Sequence, residues 1–406
     1  MADAGGERIP LRTQIAVYGS GAFSNSMANL AGVLVPLWAV TFGVSGVLIG
    51  LVFGIRHVLP LLLSIHGGAL MDRLGTRQVM LVFAALNALV PLLFPLLPNV
   101  WAAICLQAIA GLATSMGWIG AQTLIGQIMK GDAAQAGRLT LSLRFGHLVG
   151  PPLVGVAWDL AGPWGAFGVM SLWGWIGFFA ALLLPKPDLP DGKAPVRVSA
   201  RDLLPRWSDY VAAFRMLAIP AILFIAMITM LRNAGNIIQH SFYVVYLNDV
   251  LGLSGTAIGF LTSFAAFVGG AGALSVGPLV RRYTPHWLLL ITVIGSVALI
   301  AITPLLGSFV LLAIAIGLRG ASLGISQPLM ISILSRAADE DSQGTSVGLR
   351  NTANRLTGFL VPVTMGGLVD LVGIENGFFL MGGMVVFLLF LAGWWAHGQP
   401  EIAASQ

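Results

Sequence analysis

Six arginines lie inside long apolar segments of the chain, where charged side chains are rare. These six are Arg56, Arg144, Arg232, Arg319, Arg350 and Arg355. A guanidinium at the centre of a bilayer costs about 2.5–3.5 kcal/mol on insertion scales, so such a residue faces a bundle interior or a watery cavity. All 16 acidic residues can be placed at loops, tails or segment ends. The arginines therefore need carbonyls, amides, water or an anionic ligand as partners.

A polar stripe surrounds one of these arginines. Arg232, Asn236 and His240 recur at helical spacing and share one face of a helix. Other apolar segments contribute further polar groups. The candidate binding residues in these segments are Asn25, Asn29, Arg56, Gln107, Arg232, Asn236, His240, Arg319 and Arg355.

The composition requires membrane-spanning helices to position these residues. Of the 406 residues, 57% are hydrophobic and only 9% are charged, against about 25% in an ordinary soluble domain. A spanning helix needs about 20 apolar residues, and the apolar runs are too long for barrel strands. We predict an all-α membrane protein with twelve transmembrane helices. The predicted spans are residues 15–42, 46–70, 78–97, 101–129, 139–161, 164–185, 216–246, 253–279, 287–306, 308–336, 347–372 and 376–397.

The predicted spans divide into two pseudo-symmetric six-helix halves. The halves are residues 15–185 and 216–397, with tails at 1–14 and 398–406 and a charged, Pro-rich linker at 186–215. The two halves repeat one pattern. When residue numbers in the first half are increased by 211, span five falls on span eleven, and both read R-x6-P-x3-G-x3-D-L-x-G. The matched pairs include Arg144 and Arg355, Pro151 and Pro362, Gly155 and Gly366, and Asp159 and Asp370. At an offset of 209, Gly68 and Arg73 match Gly277 and Arg282.

The positions of lysine and arginine predict the orientation. Fifteen of the 21 basic residues fall on the tails and on one set of connections, and none falls on the opposite loops. Those opposite loops carry acidic residues instead: Asp159, Asp249, Asp370 and Glu375. By the positive-inside rule both termini are cytoplasmic. We expect an integral protein of a bacterial inner membrane.

The loop after span two carries the most specific motif. It reads G-x-x-x-D-R-x-G-x-R, with the fixed positions Gly68, Asp72, Arg73, Gly75 and Arg77. It resembles the signature loop of the major facilitator superfamily, and the twelve spans and duplicated halves extend the resemblance over the whole chain. The resemblance implies a cytoplasmic gate in which Asp72 faces the positive end of helix eleven and Arg77 pairs with Asp132. A plain tight turn is the alternative.

A second motif lies in span five. Its positions Gly146, Gly150, Pro151 and Gly155 resemble a motif of the drug:proton antiporter branch of that family, although Val154 replaces one glycine. The resemblance implies export. General close packing of helices is the alternative. The chain departs from that branch in span four, where Gln107 stands in the stretch in which an arginine is expected.

The resemblance places the candidate residues around one cavity between the halves. We therefore expect a secondary active transporter that moves a small organic solute, anionic or amphipathic, by alternating access, with export favoured. A multidrug:proton antiporter for neutral or cationic compounds is one alternative. A transporter-like scaffold that delivers a cofactor without pumping is another. We expect no enzyme activity, cofactor, metal site or nucleic-acid partner. The expected partners of this monomer are the bilayer, the substrate and a coupling proton.

Overall fold

The computed structural model describes residues 9–128, 133–185, 220–337 and 343–398. In this part of the chain the regular structure is helical, without strands. Span one begins at Leu11, four residues before the predicted start. The first six spans are span one (Leu11–Val40), span two (Gly46–Gly54, Ile55–His57 and Val58–Leu74), span three (Thr76–Leu96), span four (Val100–Gln127), and spans five and six (together Ala133–Leu182).

The second half repeats this order. Span seven starts at Pro220, and the predicted linker at 186–215 lies outside the described residues. The six spans are span seven (Pro220–Gln239, Phe242–Val245 and Tyr246–Val250), span eight (Gly255–Leu274 and Val276–Val280), span nine (Pro285–Ala301 and Thr303–Leu305), span ten (Phe309–Ala337), span eleven (Gln343–Val372) and span twelve (Ile374–His397).

The predicted count of twelve spans agrees with these helices. Ten described segments are long and apolar enough to cross a membrane. One of them, Gly137–Leu182, contains both span five and span six, and Pro285–Ala301 is a shorter apolar helix. The surface fits a lipid environment, because large apolar side chains such as Leu160, Leu274 and Trp394 are 79–84% exposed. Isolated exposed apolar residues are ordinary in soluble proteins, but a whole surface of them is not.

A tight turn separates spans five and six. The backbone leaves helical geometry at Ala161 and Gly162. Gly162 has a φ of 59°, in the left-handed region that glycine adopts without strain. Pro163 follows, where its missing N–H costs nothing at the first turn of span six. The repeat mate Gly373, with a φ of 83°, ends span eleven in the same region.

The two halves meet along two pairs of helices. Span two packs on span eleven, and span five packs on span eight. Spans one, four, seven and ten lie on the inside of these pairs. The polar candidate residues of the sequence are therefore carried toward the space between the halves.

Candidate functional site

A cavity with two lobes lies between the halves. Lobe A, of about 390 Å³, is lined by residues of spans five, seven, eight and ten and by Asn29 of span one. Lobe B, of about 190 Å³, is lined by residues of spans one, two, four, seven and eleven. The lobes adjoin at Asn29, Asn236 and His240, which line both.

Each lobe contains two arginines, one from each half of the protein. Arg144 and Arg232 line lobe A, and Arg56 and Arg355 line lobe B. Among the described residues that line the two lobes, none is aspartate or glutamate. A cavity with four guanidiniums and no described carboxylate has a positive potential, which attracts anions.

Arg232 is held against span ten by uncharged groups. Its Nε donates to Ser326 Oγ at 2.8 Å, and its Nη2 donates to the Leu323 carbonyl oxygen at 3.2 Å. These two bonds fix the orientation of the planar guanidinium. Neither acceptor carries a charge, so the positive charge still favours an anion in lobe A.

The arginines of lobe B lie close enough for their charges to interact unfavourably. Arg56 and Arg355 repel one another. The single described hydrogen bond of Arg56 is long, from Nη1 to the Ala28 carbonyl oxygen at 3.5 Å. Nearby, His57 Nδ1 is buried without a hydrogen-bond partner among the described residues. Lobe B therefore holds two cations that an anion between them would stabilise.

The backbone departs from α-helical geometry at two places on the cavity wall. Span two tightens into a 3-10 turn at Ile55–His57, which contains Arg56 and His57. Span seven is interrupted after Gln239 and resumes at Phe242, beside His240. Irregular turns inside long helices often mark functional positions, and in membranes they occur where they face protein or a cavity.

Asparagines link the spans around the cavity. Asn25 Nδ2 lies 3.2 Å from His147 Nε2, joining spans one and five. Asn233 Nδ2 donates to the Asn354 carbonyl oxygen at 2.9 Å, joining spans seven and eleven across the two halves. These contacts position His147 and Arg355 at the wall of the cavity.

Most of the predicted binding residues line the cavity, but two do not. The residues on the wall are Asn25, Asn29, Arg56, Arg232, Asn236, His240 and Arg355. Gln107 is buried and is absent from the lining of either lobe. Arg319 is 1% exposed, and its Nε, Nη1 and Nη2 have no hydrogen-bond partner in the described part of the chain. It is enclosed behind span seven, with Nη2 3.7 Å from the position of a Cβ added to Gly235.

Two carboxylates join the halves at the end of the bundle opposite the termini, and we call these contacts the clasps. Asp159 of span five accepts from the N–H groups of Gly255 and Thr256 at 2.8 and 2.7 Å. Asp370 of span eleven accepts from those of Gly46 and Val47 at 2.6 and 3.0 Å. Each carboxylate thus binds the positive N-terminus of a helix in the other half.

Close helix packing continues from each clasp toward the cavity. A Cβ on Gly155 would collide with the Gly255 backbone, and one on Gly259 with the Pro151 carbonyl. The equivalent contacts in the other pair join Gly50 to Pro362 and Gly46 to Gly366. Pro151 and Gly155 of the span-five motif therefore lie in a seam of small residues between the halves, whereas Gly146 and Gly150 pack against Ser26 and Leu30 of span one.

The predicted gate at the other end is only partly described. The side chains of Asp72 and Arg73, and Asp132 as a whole, lie outside what the structure describes, whereas the backbone of Gly68 lies in the helix Val58–Leu74. Gly75 has a φ of 87° between spans two and three, which explains a glycine there. Arg77 donates from Nε to the Leu184 carbonyl oxygen at 2.9 Å and from Nη2 to that of Leu182 at 3.2 Å. A cation at the C-terminus of span six is favourable.

The structure adds residues that sequence reasoning did not assign to the site. Arg144, His57, His147 and Trp118 line the cavity, and Asp159 forms a clasp. Two of these residues, Arg144 and Asp159, are predictable from the repeat at an offset of 211. The repeat pairs Arg144 with the candidate Arg355, and Asp159 with Asp370.

Comparison with known proteins identifies relatives over the whole chain. A family model described as Major Facilitator Superfamily matches residues 17–362 and 225–404. The Enterobactin exporter EntS of Shigella boydii serotype 4 (strain Sb227) is 27% identical over 406 residues, with 93% of this chain and 92% of the relative covered. The protein of the same name from Citrobacter koseri is 29% identical over 322 residues, with 74% of this chain and 72% of the relative covered.

Solved structures share the fold at low sequence identity. A variant of the nucleoside transporter NupG has a TM-score of 0.76 and 15% identity, covering 94% of this chain and 98% of its own. A bacterial homologue of the human lysosomal transporter Spinster, in an inward-facing and unoccupied conformation, has a TM-score of 0.72 and 16% identity, covering 95% and 96%. These likenesses concern the arrangement of helices.

Proposed function

The chain belongs to the major facilitator superfamily, and on that premise we propose that it exports a small organic anion through the cavity formed by lobes A and B. The choice of an anion as substrate rests on one observation. Four arginines line the two lobes, and the described lining residues include no carboxylate. A cationic substrate would place like charges together in a site of low dielectric constant, where repulsion is strong.

Export is proposed from two lines of support. The relatives that match over most of the chain are named as exporters of enterobactin. Two of the span-five residues that resemble the antiporter motif, Pro151 and Gly155, belong to the seam against span eight. We place both termini in the cytoplasm of a bacterial cell, since basic residues concentrate on that side. The clasped end then faces outward.

In this arrangement the protein is closed on the outside. The clasps and the glycine seams hold span two to span eleven and span five to span eight. An anion enters from the cytoplasm and binds the arginines of both halves. Opening the clasped end then releases it outward, as alternating access requires. A coupling proton remains part of the proposal, with His147 and His240 at the cavity as candidate carriers.

A comparison of ligands of opposite charge tests the anion. Purified protein is heated in the presence of benzoate and of benzylammonium, which share a phenyl ring and differ in charge. A ligand that binds the folded state raises the unfolding temperature in proportion to its occupancy. We expect benzoate, or a larger aromatic acid, to stabilise the protein and benzylammonium to have no effect. Uptake of the labelled acid into proteoliposomes then distinguishes a transporter from a scaffold.

Variants separate binding at the cavity from general charge effects. Arg232→Gln should abolish stabilisation by the acid, because it removes the guanidinium held by Ser326. Arg12→Gln is the matched control, since Arg12 is exposed at the start of span one. Stabilisation by benzylammonium and not by any acid would favour the antiporter for cationic compounds and contradict this proposal.

A further inference from the structure

The two lobes of the cavity are repeat copies of one another. Four residues of span four line lobe B: Gly111, Thr114, Ser115 and Trp118. Adding the repeat offset of 209 gives four residues of span ten that line lobe A: Gly320, Leu323, Gly324 and Gln327. The same positions of the two halves therefore build the two walls.

The inner helices repeat in the same way. Span one contributes Asn25, Ala28 and Asn29 to lobe B. At an offset of 211, span seven contributes Asn236, Gln239 and His240 to lobe A. Arg355 in lobe B and Arg144 in lobe A are mates at the same offset. A pseudo-twofold axis thus relates the lobes, and it passes near the residues that line both.

Each lobe has a second arginine that the repeat does not supply. The counterpart of Arg56 is Ala265, which lines lobe A, and the counterpart of Arg232 is Gly21. The two copies have diverged in sequence, yet both hold two guanidiniums. One anion in one lobe would leave the other pair of arginines without a described countercharge. Two separate pairs indicate two negative charges on the cargo.

Resting on the proposed function, we propose that the substrate carries two acidic groups, one held in each lobe. One acid lies between Arg144 and Arg232, and the other between Arg56 and Arg355. The part that joins them passes Asn29, Asn236 and His240, which line both lobes. Each acid then accepts charge-assisted hydrogen bonds from a planar donor, as guanidinium and carboxylate groups prefer.

A series of diacids tests this directly. The probes are the α,ω-dicarboxylates from succinate to dodecanedioate, each compared with its own monomethyl ester. The ester keeps the length and apolar content and removes one charge. Binding is measured by calorimetry on the purified full-length protein, with the affinity and the number of bound molecules as readouts. We expect one diacid per protein and an optimum length that binds at least about 10-fold more tightly than its ester.

The outcomes separate this inference from the function on which it rests. Diacids and half-esters of equal affinity would overturn the two-acid site and leave an anion transporter. Two half-ester molecules bound per protein would also overturn it, because the lobes would then act as independent sites. No binding by any acid of the series would contradict both proposals.

Variants at the repeat mates provide a second test. Arg144→Gln and Arg355→Gln should each remove the advantage of the diacid over its ester while the ester still binds. Arg12→Gln should keep the advantage. Circular dichroism and gel filtration check that each variant is folded. If a variant does not fold, the comparison of diacids with half-esters on the wild-type protein remains the test. An advantage that survives in both variants would contradict the assignment.

Discussion

Removing the carboxylates of Asp159 and Asp370 is expected to open the end of the protein that the clasps hold closed. Each carboxylate accepts two N–H groups at the start of a helix in the other half. The next free N–H of each helix is already bound by a serine of its own chain segment, Ser45 or Ser254. The clasps therefore complete the capping of spans two and eight only while the halves are together.

The magnitude follows from the exposure of the clasps. Both aspartates are exposed, so water replaces them when the halves part, and no polar group is left buried. Loss of a capping carboxylate typically costs about 1 kcal/mol, with the charge–dipole part at about 0.3–1 kcal/mol. One Asp→Ala change should shift the closed-to-open ratio about 5-fold, and the double variant about 30-fold if the two act additively.

Distances between spin labels measure this shift. The labels are placed at Pro98→Cys and Gly307→Cys, which are exposed positions on equivalent loops of the two halves. The exposed native thiol is first removed by Cys105→Ser. Pulsed electron paramagnetic resonance should show a longer label-to-label distance in the Asp159→Ala variant. The population at this longer distance should be larger still in the double variant Asp159→Ala, Asp370→Ala.

The control removes an acid from the same end without touching a clasp. Asp249→Ala takes away an exposed carboxylate at the end of span seven. Its distribution of label-to-label distances should match that of the labelled protein with both clasps intact. If the double variant also matches the parent, the clasps do not hold the closed state, and the glycine seams alone must do so.

Three further predictions concern the seam, the enclosed arginine and the orientation. Gly259→Ala should open the same end as the clasp variants, because its Cβ would collide with the Pro151 carbonyl. The control is Gly270→Ala on the same span, which should behave as wild type because a Cβ there meets open space. Equal spin-label distances in the two variants would contradict the role of the seam. Arg319→Leu should raise the unfolding temperature, since it removes a fully buried guanidinium that has no hydrogen-bond partner among the described residues. The insertion cost of such a group is about 2.5–3.5 kcal/mol, and a lower unfolding temperature would show that the charge is stabilising. In cells, an impermeant thiol reagent should label Asn99→Cys and not Gly192→Cys in the Cys105→Ser background, and the reverse pattern would overturn the orientation.

The sequence predicted the helices well because their cause is local. Runs of apolar residues set the spans, and Gly162 and Pro163 fall between the predicted spans 139–161 and 164–185. The 3-10 turn at Ile55–His57 has no such mark, since neither Gly nor Pro lies within it. Its backbone packs closely on span four, where a Cβ on Gly111 would collide with the Arg56 carbonyl group.

The site was predicted less completely, because sequence gives the depth of a residue and not the direction in which it points. Arg319 and Arg232 both lie mid-span, yet only Arg232 lines the cavity while Arg319 is enclosed. The direction in which each side chain points depends on how its helix is rotated about its own axis, and the neighbouring helices determine that rotation. The clasps are not predictable for a related reason: the sequence places Asp159 and Asp370 at outer loops, and their partners lie in the other half of the protein.

The placement of the arginines bears on how a substrate can drive the cycle. In each lobe one guanidinium belongs to the N-terminal half and one to the C-terminal half, so the halves carry like charges toward each other across the cavity. Such repulsion is stronger inside a protein than in water, because the effective dielectric constant is lower there. An anion between them reverses the sign of that interaction. The substrate would thereby interact differently with the two arrangements of the halves, which a ligand must do to shift their populations.

Spans five and eleven link this site to the clasps. Arg144 and Asp159 lie on the same helix, 15 residues apart in the sequence, which corresponds to about 22 Å at 1.5 Å per residue. Arg355 and Asp370 repeat this arrangement in the other half. A rigid movement of span five that draws Arg144 toward an anion must also move Asp159 relative to span eight. Substrate binding and release of the clasps are therefore expected to be coupled through these two helices, and their free energies need to be comparable for the cycle to turn over.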